Sequence, residues 1–284
     1  MFPQINPDLQ SSVLRLIVDA LAEDIGSGDI TSNLLIPVDL RFSGIIVTRE
    51  SMILAGLPFV AEIFRQVVQE ARFVPKANDG DKLKAKSVLA ELSGPARGLM
   101  NAERTALNLL QHLSGIATLT RHYVDAISGT KAILLDTRKT IPGLRQLAKY
   151  ATRMGGACNH RIGLYDGILI KDNHIAVCES LTEAIRRAKI VETNKIEVEC
   201  DTLDQVDEAI NAGVDIILLD NMAPDLLRRA VDLINGRALI EASGGITLKN
   251  IREIAESGVD FISVGCLTQS AVAVDIGLDW VQEC

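Results

Sequence analysis

The sequence predicts an α/β protein in which a smaller α+β domain precedes a parallel α/β barrel. Three observations carry this. Short apolar strands recur at AILLDT (132–137), GILIKD (167–172), IEVEC (196–200), DIILLD (215–220), ALIEAS (238–243) and FISVGC (261–266). Helical patterns fill the later intervals (LTEAIRRAKIVE, LDQVDEAINAG, APDLLRRAVDLI and LKNIREIAESG), which is the alternation of βαβ units on a parallel sheet. Each strand runs into a polar or Gly-rich segment, and no G-x-G-x-x-G follows a strand, so a barrel fits better than a doubly wound dinucleotide-binding sheet.

The elements follow in order. Residues 9–23 space their apolar side chains as a helix does, and DIGSGDITS (24–32) breaks the pattern with two glycines and capping residues. SGIIVTRE and SMILAG read as strands, LPFVAEIFRQVVQEA as a helix, and RFVP, DKLKAKSV and LAELSG as further short strands separated by turns. Residues 100–128 form a long helical stretch with a kink expected near Gly115. The strand–helix beat begins after it.

The bulk numbers exclude several classes. The 284 residues carry a net charge of −8, which argues against a nucleic-acid surface. Hydrophobic content of 48% supports a full core, and no apolar run approaches the ~20 residues of a membrane span. Five cysteines, Cys158, Cys178, Cys200, Cys266 and Cys284, lie far apart with no CxxC pair. The first ten residues lack the pattern of a secretory signal, and the reading is a reduced, cytoplasmic protein.

Charge is nevertheless uneven. Residues 131–171 hold eight basic side chains against Asp136 and Asp166. An acidic chain that gathers cations where strands end is built to hold a small polyanion. Barrels place working residues at the C-terminal strand ends, which nominates Arg138, Lys139, Lys171, Glu199, Asp220, Ser243, Gly244, Gly245 and Gly265. The last two strand ends, ASGGIT and SVGC, offer small residues and free N–H groups ahead of a helix, as a phosphate site requires. One sector is cationic, with Arg138, Lys139, His160, Arg161 and Lys171; the other holds the acids Glu199 and Asp220. Two such sectors suit two substrates, a small polycarboxylate and a phosphorylated sugar that brings Mg²⁺.

Seven strings then carry a resemblance: GPARGLMNAERTALNLLQHLSGIAT (94–118), DTRKTIPGLR (136–145), KYATRMGGACNHR (149–161), DGILIKDNHI (166–175), IEVEC (196–200), ASGGIT (242–247) and SVGCLTQSA (263–271). In this order and spacing, and with GDITS (28–32), the chain closely resembles the quinolinate phosphoribosyltransferases over essentially its whole length. The resemblance implies a type II phosphoribosyltransferase fold. An N-terminal α/β sandwich would span 1–112, joined by the C-terminal segment 271–284, and an incomplete, six- to seven-stranded α/β barrel would span 113–270. It implies transfer of phosphoribosyl from 5-phosphoribosyl 1-diphosphate (PRPP) to quinolinate with loss of CO₂, giving nicotinate mononucleotide and pyrophosphate in de novo NAD synthesis, with Mg²⁺ as cofactor. Thr137, Arg138, His160, Arg161 and Lys171 resemble the quinolinate pocket, and Arg104 the arginine donated by the other subunit of a homodimer, with hexamers left open. Lys139, Glu199, Asp220, Ser243, Gly244, Gly245, Val264, Gly265 and Cys266 resemble the PRPP site. Within it, Glu199 and Asp220 resemble the acids that face the metal through water, and Lys139, Lys171, Glu199 and Asp220 resemble the catalytic set.

Two departures stand out. Gln269 replaces a histidine common in relatives, and Ala157–Cys158 occupy a stretch usually richer in glycine. Plainer readings stay open. Lys171 is also a candidate Schiff-base lysine, as in barrel aldolases. A related phosphoribosyltransferase on another anionic ring, such as the molybdenum-transport-associated relatives, shares the scaffold, and a nucleotide-binding scaffold protein is the non-enzymatic alternative. His112 and His174 read as structural, and Cys158 and Cys200 as small core residues.

Overall fold

The computed structural model describes residues 7–190 and 195–281. In chain order its elements are α1 (Pro7–Ile25), α2 (Ile30–Leu35), β1 (Arg41–Thr48), β2 (Met52–Ile53), α3 (Leu57–Val67), β3 (Arg72–Pro75), β4 (Lys82–Leu83), β5 (Val88–Pro95) and α4 (Ala96–Ala126). Then come β6 (Ile133–Leu135), α5 (Arg145–Met154), β7 (Ile168–Ile170), α6 (Asp172–Cys178), α7 (Leu181–Ala188), β8 (Ile196–Cys200) and α8 (Leu203–Ala212). The chain closes with β9 (Ile216–Asp220), α9 (Pro224–Ile234), β10 (Leu239–Ser243), α10 (Ile251–Glu256), β11 (Phe261–Ser263), α11 (Cys266–Gln269) and β12 (Ile276–Trp280).

Two compact units result. The first gathers the chain up to Arg121, Ile141–Gly156 and the segment from Ser270. Its antiparallel sheet runs β12-β1-β5-β3, so the C-terminal strand returns to pair with β1, Gly44 opposite Trp280. Helix α1 buries Leu9, Val13, Ile17 and Leu21, one per turn, because a four-residue step keeps them on one face. The expected strand SMILAG shrinks to Met52–Ile53. The Leu54 N–H donates to the Asp81 carbonyl, the Ala55 N–H to Ser114 Oγ and the Gly56 N–H to Asp79, which leaves no ladder to continue. Helix α3 starts at Gly56 with φ +104, where no local side chain caps it. Asp79 does so from a distant loop, accepting the Gly56 and Leu57 N–H groups at 2.6 and 3.0 Å and the Tyr150 hydroxyl at 2.6 Å.

Helix α4 runs unbroken through Gly115. The expected kink is absent, and the glycine has another cause. A Cβ there would lie 2.2 Å from the Val272 carbonyl oxygen, so only glycine lets the C-terminal segment lie against the helix. Helix α5 buries Lys149 and exposes Arg153. Residues 113–121 and 141–156, which sequence reading assigns to the barrel, are thus in the first unit by contact.

The second unit holds His122–Thr140 and Ala157–Gln269. Its six parallel strands run β6-β11-β10-β9-β8-β7. A seventh position exists as one residue. Cys158 makes a parallel bridge to Leu135 on the outer edge of β6, its N–H donating to the Leu134 carbonyl at 2.9 Å. The strands therefore follow chain order around an open barrel, with the break between Cys158 and β7. Cys158 is exposed rather than in the core, whereas Cys200 is fully buried. Cys284 lies outside the described residues. All six named strands point the same way, so their C-terminal residues converge at one end.

Candidate active site at the strand ends

A cavity of about 480 Å³ opens at that end, within the range of small-molecule sites. Thr137, Arg138 and Lys139 follow β6, His160 and Arg161 follow Cys158, and Lys171 follows β7; all six line it. Glu199 ends β8, Asp220 ends β9, Ser243–Gly245 follow β10 and Val264–Cys266 follow β11, and these line it too. Arg104 is not among the lining residues and stands exposed on α4.

The cations crowd one another. Burial lowers the Arg161 pKa from its ordinary value, and the charge of Arg138 lowers it further. The Arg161 guanidinium is steadied by the Gly167 carbonyl, to which Nη1 donates at 3.1 Å. Lys171 Nζ is ion-paired with Glu199 Oε2 across the ends of β7 and β8. An ion-paired ammonium is not an amine nucleophile, which weakens the Schiff-base reading. The Lys171 backbone N–H donates to His174 Nδ1 at 2.9 Å, so His174 helps to start α6.

The glycine loops are shaped by their neighbours. Gly244 has φ +86, and a Cβ on it would meet Asn221 Oδ1 at 2.2 Å and Asn221 N at 2.8 Å. Asn221 itself sits at φ +53 and donates from Nδ2 to Asp220 Oδ2 at 2.6 Å, and its backbone N–H donates to the Ser243 carbonyl at 2.9 Å, tying the end of β9 to the end of β10. Lys139 lies over Gly265: a Cβ there would be 2.9 Å from Lys139 Cδ. Its own carbonyl accepts from Thr268 Oγ1 at 2.6 Å. Gln269 lines the same corner, exposed. The result is a two-loop cradle of small residues beneath a lysine, suited to phosphate oxygens.

Below the rim lies a group that sequence reasoning missed. Glu197 and Glu241 are buried, and their Oε2 atoms stand 3.2 and 3.6 Å from His160 Nε2. Burial first, and the Glu197 charge second, push the Glu241 carboxyl up to about 7. The signal was present. Glu197 precedes Glu199 by two residues and Glu241 precedes Ser243 by two, and in a strand i and i+2 share a face.

Comparison with known proteins agrees with this geometry. The model of the quinolinate phosphoribosyl transferase N-terminal domain matches residues 29–114, and that of the C-terminal domain matches residues 116–279. Over 267 residues the chain is 43% identical to the Mycobacterium leprae nicotinate-nucleotide pyrophosphorylase (carboxylating), covering 92% of this chain and 94% of that one. The structure of the Francisella tularensis nicotinate-nucleotide pyrophosphorylase superposes with a TM-score of 0.93 at 42% identity, covering 98% of each chain. That from Ehrlichia chaffeensis gives 0.92 at 42% identity, covering 98% of this chain and 100% of the other.

Proposed function

Because the chain belongs to the quinolinate phosphoribosyltransferase family, we propose that the strand-end cavity is where it joins quinolinate to the phosphoribosyl group of PRPP. The products are nicotinate mononucleotide, pyrophosphate and CO₂, in de novo NAD biosynthesis. The observation that carries this reading is the placing of Arg138 beside Arg161 in a cavity also lined by Lys139 and Lys171. Like charges gathered in a partly buried site are stable when an anion sits among them, and quinolinate is a dianion.

The roles follow from position. Arg138, Arg161 and Lys171, with Thr137 and His160, hold the two carboxylates and aim the pyridine nitrogen at the ribose anomeric carbon. Ser243–Gly245 and Val264–Cys266 present N–H groups to the 5-phosphate, and Lys139 leans on the diphosphate. Displacement at the anomeric carbon develops oxocarbenium character, and Glu199 and Asp220 stabilise that positive charge. The donor set also fits Mg²⁺. Two hard carboxylates on adjacent strands line the cavity, and Mg²⁺ commonly binds through one or two carboxylates, water and substrate phosphates. Held there by Glu199 and Asp220, it would supply charge neutralisation for the departing pyrophosphate. The pyridinium product is an electron sink, so the 2-carboxylate leaves with the protein supplying mainly position.

A homodimer and a cytoplasmic location belong to the same reading. Large apolar side chains stand in water in each unit, Ile30, Leu34, Leu35 and Val38 in the first and Leu164, Tyr165 and Val177 in the second, as surfaces awaiting a partner do. Among the described residues no helix is long and apolar enough to cross a membrane. Arg104, exposed on α4, is the arginine that a second copy would contribute.

The reading is tested by comparing kcat/KM for quinolinate and nicotinate with PRPP and Mg²⁺. A pocket built for two carboxylates leaves a cation unpaired on nicotinate, so quinolinate should win by at least about 10³-fold. Comparable use of both would overturn it. Arg104 is tested by mixing Arg104→Ala with Lys171→Ala subunits. Hybrid dimers should regain activity, and no recovery after verified subunit exchange would place Arg104 in its own subunit's site.

A further inference from the structure

His160 is held on both ring nitrogens. Its Nδ1 accepts the backbone N–H of Arg161 at 2.8 Å, so the ring proton sits on Nε2, which faces Glu197 Oε2 and Glu241 Oε2 at 3.2 and 3.6 Å. Its backbone N–H donates to Asp136 Oδ1 at 2.9 Å, and Asn159 Nδ2 donates to Asp136 Oδ2 at 2.5 Å. The chain Glu241/Glu197···His160···Arg161 thus ties the buried interior of β8 and β10 to the one-residue strand at Cys158, next to the barrel's open seam. A loop anchored by a single bridged residue has little ladder of its own to fix it. Glu197 Oε1 and Glu241 Oε1 are buried without hydrogen-bond partners. Burying such oxygens is costly, and the imidazole meets the other oxygen, Oε2, of each carboxyl.

We propose that Glu197 and Glu241 are positioning residues for the acceptor substrate: they fix the His160 ring, and through its Nδ1 the Arg161 backbone, so that the Arg161 guanidinium meets a carboxylate of quinolinate. This rests on the functional reading above and adds two residues to it. Glu241 reaches the cavity wall and Glu197 lies behind it, and both act through the imidazole rather than as ligands of a substrate. Their effect should fall on quinolinate, because the loop after β10 is held by the Asn221 N–H on the Ser243 carbonyl and Asn250 Nδ2 on the Gly245 carbonyl, and Lys139 by Thr268 Oγ1 on its carbonyl.

Glu241→Ala should raise the quinolinate KM about ten- to a hundred-fold, as a displaced binding group does, while the PRPP KM stays within about twofold. Glu241→Gln keeps an acceptor for His160 and offers an N–H to Glu197, so it should restore the quinolinate KM to within about threefold of the parent. Glu197→Ala, on the neighbouring strand, should repeat the Glu241→Ala signature, and the double variant should fall short of the product of the two effects because both act through one imidazole. Circular dichroism and thermal unfolding check that each variant is folded. An unchanged quinolinate KM in a folded Glu241→Ala, or an equal rise in both KM values, overturns the proposal. So does a stoichiometric metal ion in the purified protein that Glu241→Ala removes, since His160, Glu197 and Glu241 also bring three ligand atoms within 4.8 Å of one another. If the parent protein does not use quinolinate at all, it is the functional reading that fails.

Discussion

Lys171 and Glu199 are ion-paired across the ends of β7 and β8, so the cation proposed for quinolinate and the acid proposed for the ribose neutralise each other at the cavity wall. Binding must exchange these partners. On the proposed reading, quinolinate would take the ammonium and free the Glu199 carboxylate to face the ribose. The pair keeps each group in place without leaving a bare charge at the cavity wall.

Removing either partner should therefore give different kinetics. Lys171→Ala should raise the quinolinate KM about tenfold or more. Glu199→Ala should lower kcat by about 10²–10³-fold with a smaller change in the quinolinate KM. Steady-state kinetics with each substrate varied in turn reads both, and matching signatures would contradict the division of roles.

Gly244→Ala places a side chain at φ +86 and 2.2 Å from Asn221 Oδ1. The loop after β10 must shift, so on the proposed reading the PRPP KM should rise about tenfold or more while the quinolinate KM moves little. An unchanged PRPP KM would remove this loop from phosphate binding.

Within the first unit, Gly115→Ala collides with the Val272 carbonyl, and Asp79→Ala orphans the buried Gly56 and Leu57 N–H groups and the Tyr150 hydroxyl. Each should lower stability by about 1–3 kcal/mol, read by urea unfolding. A neutral Gly115→Ala would mean that the C-terminal segment yields freely.

The barrel was legible because its strands are apolar runs with polar ends, and every residue that those ends nominated lines the cavity. The seventh strand was not, since a single bridged residue in ACNHR has no periodicity to read. Gly115 was misread as a kink because sequence shows the missing side chain and not the chain segment that needs the space. Glu197 and Glu241 were passed over inside IEVEC and ALIEAS, although a charge within an apolar strand, two residues before a site residue, points at the same face. Arg145, Lys149 and Arg153 carried part of the basic excess but sit on α5 in the first unit.

Glu241 gives stability a pH dependence of known sign. Its carboxyl titrates near 7 in the fold, above its ordinary 4.5, so the folded state keeps a proton that the unfolded chain releases. The stability it contributes is full below about 4.5 and is lost as pH rises through about 7. Glu241→Gln cannot release that proton. Urea unfolding from pH 4.5 to 8 should show the parent losing stability relative to Glu241→Gln as pH rises. A constant difference would contradict the assignment.

The most direct test of the central claim uses quinolinate labelled in its 2-carboxylate. With PRPP and Mg²⁺, labelled CO₂ should appear in step with nicotinate mononucleotide, one for one, and none should appear without PRPP. CO₂ release independent of PRPP, or a nucleotide product that retains the label, would contradict it.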